Sequence, residues 1–593
     1  MKTKYVYATI GLLLLLFVGA VLVLPQLNLE IREQEASYVE TIFDKSRVTT
    51  VDITLSEKDL ENILANPMKE EVVSADVVIN GEKVENVGFR TKGNMTLRSV
   101  AQMDDSDRYS FKIDFDKYVD EQSLHGLKKI NLNNNYTDPT QQREYLSYDL
   151  MEKMDVPTPA NSYMYVTING KEWGLYLGVE AIEETFLDRN FLYSKGDLYK
   201  PDGVGSDLKW ISDDIDEYKD LNLKTNKKTS DETAIINMLD AINNGGTIEE
   251  FLNVDEMLRY FATNTALVNL DSYQGQLKHN YYLYEENGVF SILPWDYNMS
   301  FAGFGTGGGG GVGNPGDPGN QGNPGNQGGI PGDRKEQNNA STKKERAAGE
   351  MKAPGGGGNP AGDMAANFMN EENINFSITT PVGGVSLEDR PLLQVLLSVD
   401  EYREKYNSYL KEIATTYFTE EHMQKMTTEA SAVIRSYVEK DPTKFYTLEQ
   451  FDAGVSGDKS LVAFSIKRAE SIVAQLSGEL VVEANTTGAG SGENQGMPEG
   501  PGGQGGPEGP GERPQGMAQE IPPDMAQGQM PGNMQMNDGN GQGNRMAPPS
   551  DWRGRGQTAN EGYSQEMVVM TAIGLGLMGA AILFTVFFKR RRG

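Results

Sequence analysis

Residues 268–301 read VNLDSYQGQLKHNYYLYEENGVFSILPWDYNMSF, which predicts a helix end, an irregular segment and a β-hairpin. The irregular segment carries Asp271, the first strand begins at Asn280, and the return strand ends at Asp296. Between the strands, the Asn287-Gly288 pair can adopt the positive φ angles of a type I′ turn. This pattern brings Asp271, Asn280 and Asp296 to one end of the hairpin.

Two carboxylates and an amide in one place suit phosphoryl transfer. One carboxylate orients the acceptor hydroxyl, while the other carboxylate and the amide hold Mg²⁺ against the phosphates. The order of these residues parallels that in protein kinases, but the spacing differs, since no His-Arg precedes Asp271 and Tyr-Asn follows Asp296. Turns at hairpin ends also collect Asp and Asn for hydrogen bonding, so a purely structural role stays open at this point.

The rest of the chain predicts an α+β fold. Two more Asn-Gly pairs, Asn80-Gly81 and Asn169-Gly170, predict hairpins, and residues 48–55 predict a strand that is followed by Ser56 as a helix cap. Helices are predicted over residues 140–154, 182–190, 231–243, 254–270, 389–397, 401–417, 420–438 and 459–476. This order indicates a β-rich first lobe and a helical second lobe.

Basic residues of the first lobe are candidates for contacts with phosphate. Lys112 lies in the alternating strand YSFKIDF and Glu144 on the next helix, and a strand lysine paired with a helix glutamate positions nucleotide phosphates in kinases. Arg90 and Lys92, in GFRTKGN, suit an anion-contacting loop. Lys200, in GDLYKPDG, is either another phosphate contact or a turn residue. For Lys112 the alternative is a lysine that is simply solvated on the polar face of its strand.

Composition excludes several classes of function. The chain has 85 acidic and 54 basic residues and a net charge of −31, which argues against nucleic-acid binding. The absence of cysteine excludes disulfides, zinc-thiolate sites, iron-sulfur clusters and thiol nucleophiles. With only three histidines, histidine-rich metal sites and most Ser-His-Asp triads are disfavoured as well.

Two apolar stretches near the ends of the chain predict transmembrane helices. Residues 5–24 follow Lys2 and Lys4, and residues 567–588 are followed by four basic residues, 589–592. The positive-inside rule therefore places both termini in the cytoplasm and the main domain outside. A signal peptide is the alternative for residues 5–24, but no clear A-x-A site follows, which favours an uncleaved anchor.

Two low-complexity stretches divide the chain. Residues 303–366 are rich in glycine and proline and predict a disordered insert, which separates a folded part at 48–302 from a helical part at 373–480. Residues 487–560, rich in Gly, Pro, Gln and Met, predict a tether to the second membrane span.

Taken together, the segments RTKGN, REYLSYDLMEKMDVPTP, YVTINGKEWGLYLGVEAIEETFL, GDLYKPDG, NLDSYQGQLKHNYYLY and ILPWDYN resemble the spore coat protein CotH kinase family. The likeness covers residues 48–476 apart from the insert. It implies an atypical, bilobal protein kinase fold that transfers phosphate from ATP, with Mg²⁺ or Mn²⁺, to serine or threonine hydroxyls. The implied partner is a coat or envelope protein.

The resemblance also implies roles for individual residues. Asp271 would be the catalytic Asp and Asp296 the metal-binding Asp, with Asn280 as second metal ligand. Lys112 and Glu144 would form the phosphate-positioning pair. The implied phosphate contacts and adenine-stacking ring are Arg90, Lys92, Lys200 and Trp295.

Two other classes of function remain open from the sequence. A catalytically silent relative could scaffold coat or envelope proteins and use the same pocket only structurally. A glycoside hydrolase could use the pair Asp271 and Asp296 on cell-wall sugars, and it would need neither ATP nor a metal.

Overall fold

The computed structural model describes residues 37–304 and 368–482. The fold is α+β, as predicted. The strands are β1 (Thr49–Thr54), β2 (Val73–Ile79), β3 (Glu82–Lys92), β4 (Ser110–Asp114), β5 (Lys129–Asn133), β6 (Asn161–Ile168), β7 (Lys171–Glu180), β8 (Leu198–Pro201), β9 (Leu221–Leu223), β10 (Tyr281–Glu286) and β11 (Val289–Pro294). The principal helices are α1 (Glu57–Ala65), α2 (Met95–Ala101), α3 (Arg143–Lys153), α4 (Glu184–Asn190), α5 (Thr233–Asn244), α6 (Val254–Leu267), α7 (Glu371–Ile374), α8 (Pro391–Ser398), α9 (Asp400–Glu412), α10 (Glu420–Lys440), α11 (Leu448–Ser456) and α12 (Leu461–Ser477).

The first seven strands close into a barrel in the order β1-β2-β3-β4-β5-β7-β6. Closure is made by β1, which pairs antiparallel with β2 and parallel with β6. Buried and exposed residues alternate along β1, so that Val51 and Ile53 join the hydrophobic core of the barrel. A closed barrel leaves no sheet edge exposed, so these strands offer no edge for pairing with another chain.

All three predicted Asn-Gly hairpins are confirmed. Asn80-Gly81 joins β2 to β3, Asn169-Gly170 joins β6 to β7, and Asn287-Gly288 joins β10 to β11. Both residues of each pair have positive φ, for example 55° at Asn287 and 87° at Gly288. Asparagine and glycine tolerate this region best, which is why so local a signal predicts the turns.

The predicted helical second lobe also contains a sheet. Strands β8 to β11 form an antiparallel sheet in the order β11-β10-β8-β9, of which the sequence predicted only the β10-β11 hairpin. This sheet, α3 and helices α5 to α12 contribute to a second hydrophobic cluster, in which α6 packs against α9. Strands β8 and β9 have only four and three residues, too few for alternation to be visible.

The helix α3 starts three residues later than predicted because Asp138 forms a turn before it. The Asp138 carboxylate accepts hydrogen bonds from the backbone N–H of Thr140, at 2.8 Å, and of Arg143, at 2.8 Å. At the first helix the prediction is confirmed, since the Ser56 hydroxyl caps α1 by accepting from the Asp59 N–H at 3.1 Å.

The predicted spans at residues 5–24 and 567–588 lie outside the described residues, as do the tether at 487–560 and nearly all of the insert at 303–366. Within residues 37–304 and 368–482, no helix has the length and apolar character needed to cross a membrane.

A buried ion pair connects the barrel to the segment after α10. Arg108 and Asp441 are 1% and 0% exposed, and Arg108 Nη1 lies 2.7 Å from Asp441 Oδ2. The same carboxylate oxygen accepts from the Leu175 N–H of β7 at 2.8 Å, and Arg108 Nη1 also donates to Thr443. The pair thus joins residues far apart in sequence in one hydrogen-bonded network.

We expect Arg108→Met to lower the free energy of unfolding by about 3–5 kcal/mol, because Asp441 would keep a buried charge without its partner. Urea denaturation followed by circular dichroism measures this change. Arg435→Met is the matched control, since it removes an exposed Arg–Asp pair with Asp452 and should change stability little. Equal midpoints for the two variants would contradict the structural role of Arg108.

Candidate active site

One cavity of about 1160 Å³ collects the residues that the sequence singled out. It is lined by strands β3, β4 and β5 of the barrel, by β8 and β10 of the second sheet, and by residues 295–299 directly after β11. Its lining contains eight of the nine predicted site residues, namely Arg90, Lys92, Lys112, Lys200, Asp271, Asn280, Trp295 and Asp296. The ninth, Glu144, reaches the cavity through Asn133, which does line it.

Asp271 is held in place by His279 and Asn280, two consecutive residues of the chain. The residue is 5% exposed. Its Oδ1 lies 2.6 Å from His279 Nε2, and its Oδ2 accepts from Asn280 Nδ2 at 3.1 Å. Asn280 Nδ2 also donates to the main-chain oxygen of Asp271 at 2.9 Å. The carboxylate and its backbone are therefore fixed together.

Asp296 follows β11 and enters the cavity with a left-handed backbone, φ 57°. Its N–H donates to the Tyr148 hydroxyl at 3.1 Å. Within the described part of the chain, its carboxylate accepts no hydrogen bond and forms no ion pair. Burial raises the pKa of Asp296, an effect that Lys92 opposes and the negative charge of Asp271 reinforces. This carboxylate is thus available to a ligand.

Glu144 is buried on α3 and faces the same region. Its Oε2 accepts from Asn133 Nδ2 at 2.8 Å, and Asn133 Oδ1 accepts from Lys92 Nζ at 2.7 Å. Burial, followed by the charge of Asp296, raises the pKa of Glu144 to about 7. The amide of Asn133 therefore stands between a lysine and a glutamate.

Glu144 is connected to a lysine other than the predicted Lys112. Among the residues the structure describes, Lys112 makes no ion pair with Glu144, and the lysine connected to that glutamate is Lys92. The physical reason is the barrel, in which Asn133 on β5 occupies Glu144 Oε2 and connects it to Lys92 on β3. Burial lowers the pKa of Lys112 to about 8.

Trp295 lies close to two lysines. The Lys92 and Lys200 ammonium groups lie 5.7 and 5.8 Å from the centre of its ring. Its edge-on partner is Tyr282, at 5.7 Å between ring centres. With Trp295 only 7% exposed, these contacts cover much of the ring that the sequence assigned to adenine stacking. Arg90 is likewise engaged, in an ion pair with Glu70.

The donor set is compatible with Mg²⁺ or Mn²⁺ bound together with phosphate. The described residues contain no group of three or more His, Cys, Asp or Glu side chains arranged for a metal. Mg²⁺, however, commonly uses one or two carboxylates plus substrate phosphates and water. The free carboxylate of Asp296 fits this pattern, and so does Asn280, whose Nδ2 faces Asp271 and leaves Oδ1 as an acceptor.

Sequence reasoning missed His279, Asn133 and Tyr148. The histidine stood in the quoted motif HNYYLY, directly before Asn280, and its type alone could have marked it. Tyr148 also stood in a quoted segment, REYLSYDLMEKMDVPTP, but its residue type gave no signal. Like Asn133, it acts through a contact made by the folded chain.

Comparisons with known proteins agree with the motif evidence. A protein-family model described as CotH kinase protein matches residues 89–472, a range that contains all nine predicted site residues. Inner spore coat protein H of Bacillus subtilis (strain 168) is 23% identical over 422 residues, which cover 69% of this chain and 93% of that protein. The Inner spore coat protein H-like protein of the same organism is 33% identical over 92 residues, 16% of this chain and 28% of that protein.

The resemblance predicted from the motifs is therefore confirmed. Since the family match extends over more than half of the sequence, the chain belongs to the CotH kinase protein family.

Proposed function

We propose that the chain is a protein serine/threonine kinase that transfers the γ-phosphate of ATP. The observation that carries this proposal is a set of charges without ion-pair partners in one cavity. Within the described residues, Asp296, Lys92, Lys112 and Lys200 line this cavity, and none of them forms an ion pair. Buried charges are costly unless a partner compensates them, so the cavity is suited to a ligand with charges of both signs.

A triphosphate with its metal ion has such charges. Lys92, Lys112 and Lys200 would bind the phosphate oxygens, and burial lowers the pKa of Lys112 and of Lys200, so a bound anion would stabilise their charged forms. Asp296 and Asn280 would hold Mg²⁺ or Mn²⁺, which neutralises phosphate charge during transfer.

Asp271 would act as the base toward the acceptor hydroxyl. In the transfer, the serine or threonine oxygen bonds to the γ-phosphorus and the bond from that phosphorus to the β,γ-bridging oxygen breaks. ADP leaves, and the hydroxyl proton passes to the Asp271 carboxylate. The barrel and the helical part would then serve as the two lobes of a kinase-like fold around this cavity.

We infer the substrate from the similarity to the relatives and the location from two apolar stretches of the sequence. The similarity to an inner spore coat protein supports a coat or envelope protein as the phosphate acceptor. The apolar stretches at 5–24 and 567–588, with their flanking basic residues, support a two-pass anchor with both termini in the cytoplasm and the main domain outside.

A catalytically silent scaffold is the competing function. The observation in its favour is that both Asp271 carboxylate oxygens already have hydrogen-bonding partners within the chain, His279 and Asn280. A carboxylate engaged in this way can serve stability alone. Activity measurements on Asp271 variants decide between the two functions.

We expect the full chain in detergent, with γ-labelled ATP and Mg²⁺ or Mn²⁺, to label a serine- and threonine-containing acceptor protein. Asp271→Asn should lower transfer on the order of 10²–10⁴-fold, since it removes the proton acceptor. Asp296→Asn and removal of the metal by chelation should abolish it. Asp120→Asn, an exposed aspartate outside the cavity, is the control. A folded parent that neither transfers label nor binds nucleotide would favour the scaffold.

We expect Lys92→Met to weaken ATP binding by roughly ten- to a hundredfold, because a hydrogen bond to a charged group contributes about 1.5–3 kcal/mol. Lys112→Met should have a smaller effect, because Lys92 is connected to Glu144 through Asn133 and Lys112 is not. Equilibrium binding of a fluorescent ATP analogue measures both, with the exposed Lys83→Met as control. The reverse order of effects would restore Lys112 as the principal phosphate contact.

We expect the full chain to stay in the membrane fraction after an alkaline carbonate wash. A variant that lacks residues 2–24 and 567–592 should be released, because no described helix can span a bilayer. Immunoblotting of pellet and supernatant gives the result. Release of the full chain would contradict the two-pass anchor.

A further inference from the structure

His279 makes the shortest contact to the proposed base. Its Nε2 lies 2.6 Å from Asp271 Oδ1, and an ionised carboxylate only accepts hydrogen bonds, so the imidazole donates. The side chain is 25% exposed and lines the cavity. Because Nε2 is committed to Asp271, the ring does not offer that nitrogen to a substrate.

The backbone around His279 directs the ring toward Asp271. The residues on either side have left-handed conformations, with φ 46° at Lys278 and φ 58° at Asn280. Such φ values are uncommon for residues other than glycine, and here they flank the histidine just before β10 begins. The Asn280 amide then binds Asp271 from the other side, so two successive side chains hold one carboxylate.

We propose that His279 is a positioning residue, which fixes the rotation of the Asp271 carboxylate so that its remaining lone pairs face the acceptor hydroxyl. This inference rests on the proposed kinase function and adds a residue that neither the sequence motif nor the family resemblance assigned. A carboxylate oxygen has two lone pairs, so the hydrogen bond from His279 leaves Oδ1 able to accept a proton. Without the ring, the carboxylate could rotate away from the direction of transfer.

The test compares three His279 variants in the full chain. Misplacement of a reacting group by about 1 Å costs on the order of a hundredfold in rate, so His279→Ala should lower kcat by about that factor. KM for ATP should not change, because the hydrogen bond of the ring goes to Asp271 and not to the lysines proposed to bind phosphate. His279→Gln keeps an N–H donor of similar reach and should recover most of the rate, whereas His279→Phe should not.

His125 provides a matched control. It also bonds a carboxylate, Glu82 Oε1 at 3.0 Å, but it lies outside the cavity lining, so His125→Ala should keep the parent rate. Thermal unfolding shows whether each variant is folded. In an Asp271→Asn background, His279→Ala should cause no further loss.

The outcomes separate the two proposals. If the parent transfers no phosphate, the kinase function fails and this inference fails with it. Two results with an active parent would overturn only the positioning role. In the first, a folded His279→Ala variant has the kcat of the parent. In the second, the His279→Gln and His279→Phe variants lose kcat by the same factor. A rise in KM for ATP with unchanged kcat would also overturn it and make His279 a nucleotide contact.

Discussion

Asp296 and three lysines, Lys92, Lys112 and Lys200, line one cavity without forming ion pairs within the described residues, and the proposed chemistry depends on this constraint. Neutral groups contact these charges. The Asn133 amide accepts from Lys92 and donates to Glu144, so that it stands between a lysine and a glutamate, and the ammonium groups of Lys92 and Lys200 lie 5.7 and 5.8 Å from the centre of the Trp295 ring. Had the lysines paired with the acids, neither sign of charge would be available to a ligand.

The segment after the predicted insert supports the proposed base from outside the cavity. Arg390 Nε donates to the Tyr273 carbonyl at 2.5 Å, two residues beyond Asp271. Gln274 Nε2 in turn donates to the Pro381 carbonyl at 2.6 Å. Residues on both sides of the insert thus form one structure around the Asp271 loop, so the loop is shaped by tertiary contacts as well as by the hairpin.

Local signals in the sequence predicted what local physics controls. The Asn-Gly turns were predictable because only two residues determine each of them. The alternation of apolar and polar residues around Lys112 likewise predicted β4. The partner of Glu144 could not be predicted in this way. It depends on which barrel strand faces α3, which is decided by the order β3-β4-β5-β7 and by the position of Asn133 at the end of β5. The short strands β8 and β9 form through pairing with each other and with β10, which leaves no periodic trace in the sequence.

A crystal structure of the chain with Mn²⁺ and a non-hydrolysable ATP analogue tests the central claim most directly, because the anomalous signal of manganese locates the metal independently of the nucleotide. We predict a manganese peak bound by the Asp296 carboxylate, with the triphosphate contacting Lys92, Lys112 or Lys200 and the γ-phosphate facing Asp271. A nucleotide bound elsewhere, or metal and nucleotide absent from the cavity at saturating concentrations, would contradict the proposal that these unpaired charges form a phosphotransfer site.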